Sequence, residues 1–165
     1  MAVSLFLEGC GWVGSMDELL TDLEDGMMEF AEVFVAGLSE TSQRAPLEGV
    51  LEAGYAAEQG AGFQRWLQTH AQQALDGCSR ERHLRCFRLL RETQNQTLVK
   101  RSISSPSARL GISYGGLGRA DCAALSYVLS CAGEIQRLNL YNSKNLTSDH
   151  TSQLLPVFKM ANSIM

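Results

Sequence analysis

The stretch Leu110-Gly111-Ile112-Ser113-Tyr114-Gly115-Gly116-Leu117, with Leu125 and Leu129 beyond it, returns as Leu138-Asn139-Leu140, Leu146, Leu154 and Phe158. The offsets between matching positions are 28, 28, 29, 29 and 29, so the second copy carries one extra residue after Leu140. Within each copy the first two apolar residues alternate, which predicts a short strand. The last two stand four apart, which predicts one face of a helix. The glycines between them suit a turn where positive φ is needed. Each copy therefore reads as strand, turn and helix.

A period in the twenties with an L-x-L core is the signature of a leucine-rich repeat. One such unit cannot bury its own apolar face, so units stack, and about three are needed for stability. Two units imply a cap from elsewhere or membership of a larger array.

Upstream of the repeats the period is helical. Ser15-Met16-Asp17-Glu18 has the capping-box pattern, and Asp25-Gly26 closes a short helix after it. Met27, Phe30, Phe34 and Leu38 stripe the next helix. Pro46 suits the first turn of a third helix, striped by Leu47, Val50, Leu51 and Tyr55. Gly60 and Gly62 are expected to separate it from a fourth, with Phe63, Trp66, Leu67, Ala71 and Leu75 inward and Gly77 as its C-cap. Ser79 opens a fifth, with Leu84, Phe87 and Leu90 inward, and a short helix around Leu98 and Val99 follows. The helical period stops between Ser102 and Ser107. The expected fold class is mainly α: a helical bundle followed by a short α/β leucine-rich-repeat solenoid. The expected organisation is an N-terminal segment over 1–15, a helical domain over 16–105 and repeats over 106–165.

The chain has 165 residues, 45% hydrophobic and 19% charged, a composition that can bury a core. The net charge of −4 hides an asymmetry: residues 1–60 hold twelve acids and one base, residues 61–165 six acids and thirteen bases. Two differently charged solvated surfaces account for this, and mutual attraction is the sharper reading. Five irregularly spaced cysteines argue against a disulfide scaffold and for a reducing compartment, the cytoplasm. No secretory leader or membrane-spanning run is expected. The sequons at Asn95 and Asn145 are then chance matches.

Cys78, His83 and Cys86 offer three potential metal ligands, but the paired C-x2-C spacing of zinc sites is missing, so no metal is expected. Arg82, Arg85, Arg88 and Arg91 form a broad basic face that could meet phosphate or an acidic partner. A solvated or salt-bridged face explains it as well, and nucleic acid is not the expected partner. Gly115-Gly116-Leu117-Gly118 lacks the lysine of a phosphate loop. No catalytic constellation is evident, and no enzyme activity is expected.

The order of helices then repeats, with these strings, resembles the NOD-like receptors of innate immunity. Met27–Phe30 and Phe34–Ser39 look like the helix opening that family's second helical domain. Arg82 to Gln94 resembles the helix closing it, and Asn95 to Val99 the short segment after it. Asp121 to Leu129 resembles the helix of the transition repeat, Leu138-Asn139-Leu140 the next strand, and Leu154 to Lys159 the helix after that. Two departures stand out. Gly115 and Ser143 occupy slots that usually hold Asn or Cys, and the family's ATP-binding residues match no position here.

The resemblance implies a non-enzymatic regulatory segment of an innate immune receptor, serving autoinhibition, ligand sensing and protein–protein interaction. ATP would be expected only with an upstream NACHT module, and that module in the same full-length chain is the implied partner. A stand-alone leucine-rich-repeat inhibitor or scaffold is the alternative. The candidate protein-binding surface comprises Arg109, Gly111, Ser113, Arg137, Asn139 and Tyr141, which alternate with the strand leucines. An array ending after two units would expose apolar surface and favour oligomers.

Overall fold

Helix α1, Glu29–Ser39, leads directly into a single turn, α2, Thr41–Arg44. A computed structural model of the protein describes residues 29–47, 53–76, 79–103, 110–113, 116–133, 137–140 and 146–164. A 3-10 turn, Ala45–Leu47, follows α2, and then come α3, Ala53–Asp76, α4, Arg80–Thr93, and α5, Gln96–Ser102. The remaining elements are β1, Leu110–Ser113, α6, Arg119–Ala132, β2, Arg137–Asn139, and α7, Ser148–Met160. Two compact units form. One holds the described residues up to Leu67 with Glu92–Gln94, the other Gln68–Arg91 with Asn95 onward.

In the first unit, Val35 and Ala36 of α1 and Phe63 and Leu67 of α3 are buried. Phe63 and Trp66 pack as tilted rings with centroids 5.3 Å apart. The last carbonyls of α1 have no partner within the helix and must find one outside it. Arg44 reaches back to supply it: one guanidinium nitrogen donates to Leu38 O and Ser39 O, both at 2.8 Å. Gln64 Nε2 adds a third bond to Ser39 O at 3.0 Å. Gln43 does the same for α4, its Nε2 donating to Glu92 O at 2.9 Å and Thr93 O at 3.0 Å. Two adjacent side chains of α2 thus cap the C-termini of two other helices.

Two expectations for this region are corrected. Gly60 and Gly62 do not separate two helices; α3 runs unbroken through both. Glycine lowers helix propensity by about 1 kcal/mol, but at Gly60 it admits the end of α1. A Cβ there would collide with the Arg44 guanidinium and lie 2.9 Å from Ser39 O. Pro46 sits in the 3-10 turn rather than opening an α-helix. The expected elements over 15–25, with Ser15 and Glu18, and Val50, Leu51 and Gly77 lie outside the described residues.

In the second unit Leu84, Phe87 and Leu90 of α4 are buried, as their spacing predicts, and so are Leu98 and Val99 of α5. Asn95 caps α5 by accepting from Leu98 N at 2.9 Å. Helices α6 and α7 pack against each other, and α5 packs on α6. Leu125 and Leu154, one repeat apart in sequence, are both fully buried, and Leu117 and Leu129 are buried beside them. Thr147 caps α7 through His150, with His150 N donating to Thr147 Oγ1 at 3.4 Å.

The expected leucine-rich-repeat solenoid is not what forms. The described chain is mainly helical. Its β structure is one pair of parallel strands of four and three residues, in register at Leu110 with Arg137 and Ser113 with Asn139, with an irregularity between. A solenoid needs a ladder that continues from unit to unit, and here each strand has one partner. The helices α6 and α7, which pack on each other, carry the buried repeat leucines Leu125, Leu129 and Leu154. The mainly-α part of the expectation agrees with the structure.

Candidate interaction surface and the α5–α6 cavity

The six residues expected to form a protein-binding surface divide in two. Gly111 and Ser113 fall on β1, and Arg137 and Asn139 on β2. The pairing brings Ser113 and Asn139 together as register partners across the ladder. Arg109 and Tyr141 lie outside the described residues.

The arginines of α4 have structural work. Arg88 Nε stands 3.6 Å from Asp121 Oδ1 at the first turn of α6. The other oxygen of Asp121 accepts from Gly118 N at 3.1 Å, so one carboxylate satisfies a free helix-start amide and meets the cation. About two turns earlier, Arg80 donates to Gly116 O at 3.0 Å, in a turn where Gly116 has φ +68°. Positive φ strains any residue with a Cβ, so glycine is needed at that point. Arg85 and Arg91 are engaged as well. Arg82 is exposed. Arg88, from the basic face, and Arg80, ahead of it on the same helix, thus brace the start of α6 and the glycine turn before it. For Arg88 the acidic partner is Asp121.

His83 and Cys86 are both core residues. His83 is buried edge-on to Phe87, with ring centroids 6.2 Å apart. Burial pushes the Cys86 thiol up to about 12. Metal ligation needs the thiolate, and Cys86 is held as the thiol. Cys78 lies outside the described residues. Among the described residues no three metal-ligating side chains gather.

A cavity of about 610 Å³ opens between α5 and α6. Gln96, Lys100 and Ile103 line it from the α5 side, and Tyr127, Ser130, Cys131 and Gly133 from the α6 side. Burial pushes the Cys131 thiol up, while the Lys100 ammonium and the Tyr127 hydroxyl pull it back down. Burial raises Tyr127 too, and Cys131 beside it adds to the effect. Residue spacing gave no hint of this cavity. Tyr127 and Cys131 are four apart on one helix face, a pattern indistinguishable from a core stripe.

Among the described residues no helix is long and apolar enough to cross a membrane. Comparison of the chain with protein-family models, with curated proteins and with solved structures finds no match.

Proposed function

We propose that this chain is a non-enzymatic regulatory and protein-interaction segment of the NOD-like receptor kind. Its role is to fold against a nucleotide-binding NACHT module in the same full-length chain, in the cytoplasm, and hold it inactive until a ligand is sensed. The observation that carries the reading is the order of elements. The strings that resemble the family fall in sequence on α4, α5, α6, β2 and α7, and Asn95, in the segment that follows the closing helix, is the N-cap of α5. Two large apolar side chains are left in solvent, Leu155 within α7 and Ile164 beyond it, each 48% exposed. Exposed large apolar side chains matter here only as a contiguous patch; singly they are ordinary. The alternative, a stand-alone leucine-rich-repeat inhibitor or scaffold, has no solenoid among the described residues to support it.

The test is calorimetric titration of this chain into a purified NACHT module of a NOD-like receptor. The reading expects saturable 1:1 binding that weakens when Leu155 is changed to Asp. Heat no larger than dilution, across a range of salt, overturns it.

A further inference from the structure

We propose that His150 makes the start of α7 a pH-sensitive joint: the helix is capped while the imidazole is neutral and loses that cap in acid. The geometry is a reciprocal pair of bonds. Thr147 N donates to His150 Nδ1 at 3.3 Å, and His150 N donates to Thr147 Oγ1 at 3.4 Å. Two backbone donors that the helix itself leaves without partners are satisfied this way.

The first bond fixes the state of the ring. Nδ1 accepts only when it carries no proton, so the neutral ring holds its proton on Nε2. The imidazolium has an N–H at both positions and accepts nothing. Protonation therefore removes the bond from Thr147 N. It also sets a positive charge at the end of the helix where positive charge is least favoured.

The helix one repeat earlier supplies the contrast. Asp121 stands 29 residues before His150, at the same place in the first turn of α6, and its Oδ2 accepts from Gly118 N at 3.1 Å. A carboxylate keeps its acceptors through the mildly acidic range in which an imidazole loses one. Of two helices packed on each other, one is acid-sensitive at its start and the other is not.

The charges around His150 do not replace the lost acceptor. On α7 they are Asp149, in the first turn, and Lys159, in the last. Asp149 adjoins His150 in sequence, and adjacent helix residues do not face each other. On α6, the helix packed against α7, they are Arg119 and Asp121, and Asp121 is held by Arg88 and Gly118 N. The remaining titratable groups of α6, Cys122, Tyr127 and Cys131, are all raised by burial and stay neutral in acid.

The experiment measures the folding stability of the full chain by denaturation from about pH 8 to about pH 5, which spans the ordinary imidazole range. Beside it runs His150→Gln, which keeps an acceptor in the capping box without titrating. At the alkaline end the two are expected to match. Toward acid the parent's folding constant is expected to fall roughly fivefold further than the variant's, the worth of one cap. His70 and His83 are common to both chains and cancel in the difference. Nitrogen NMR of the His150 ring in the parent gives a second readout, expected to show the proton of the neutral form on Nε2. A pH dependence unchanged by His150→Gln overturns the proposal, and so does a neutral ring protonated on Nδ1.

Discussion

The guanidinium of Arg44 fills the space that a Cβ on Gly60 would need. The same guanidinium closes the end of α1 by binding Leu38 O and Ser39 O, so the glycine and the arginine form one device. A helix passes close enough to another's C-terminus for a side chain to cap it, because one residue on the passing helix has no side chain.

Gly60→Ala is therefore expected to destabilise the protein by about 1–3 kcal/mol, the usual cost of overpacking, despite alanine's better helix propensity. Chemical denaturation checks it. A gain in stability would show that α3 does not approach α1 this closely.

Arg44→Ala removes both carbonyl bonds and the 3.0 Å bond to Thr41 Oγ1. The expected loss is about 1–3 kcal/mol, the cost of stranding the Leu38 carbonyl, while Ser39 O keeps its bond from Gln64. In the double variant with Gly60→Ala the losses should be less than additive, since the alanine no longer meets the guanidinium. Its contact with Ser39 O remains, so the rescue is partial. A double-mutant cycle with no coupling contradicts the geometry.

Cys86 sets a pH dependence. Its thiol titrates at about 12 in the folded chain against an ordinary value of 9.0. The unfolded chain therefore loses this proton first, and stability falls as pH climbs from 9 toward 12. The expected slope is about −1.4 kcal/mol per pH unit over that window. Cys122, also raised by burial, adds to it with the same sign. Denaturation midpoints across the window should fall less steeply in Cys86→Ala; an unchanged slope contradicts the burial.

Pro156 sits inside α7, where it supplies no N–H to the helix ladder. Interior proline costs about 3 kcal/mol relative to alanine. Pro156 is exposed, so its replacement disturbs no core packing. Pro156→Ala is expected to raise the melting temperature by several degrees. A fall would mean that the proline holds a bend on which the packing of α7 against α6 depends.

Much of the helical part is legible from residue order, and the reason is physical. Leu84, Phe87 and Leu90 recur at helical spacing because one face of α4 is buried, and burial selects apolar side chains wherever they occur. The repeat pairing of Leu125 with Leu154 likewise marks the inward faces of α6 and α7, whereas for Leu129 the buried residue on α7 is Val157 and Phe158 is only partly buried. That pairing misleads about the strands. Apolar periodicity reports which residues are inward, not whether a ladder continues past one pair, so a solenoid was expected where one short strand pair forms. Gly60 reads as a breaker because local propensity is all that the sequence displays; the close approach that demands a glycine comes from a distant segment. Gln43 carries no local signal for the same reason, since the carbonyls it caps on α4 are about fifty residues away. Asp121 and its arginine brace belong to this class as well, and so does the cavity that joins Lys100 to Cys131.

The regulatory reading turns on whether this chain restrains a nucleotide-binding module. The most direct measurement is ATP turnover by a purified NOD-like receptor NACHT module with increasing amounts of this chain added. The account predicts a saturable fall in turnover that Leu155→Asp relieves. Turnover unchanged at saturating concentrations of the folded chain would contradict it.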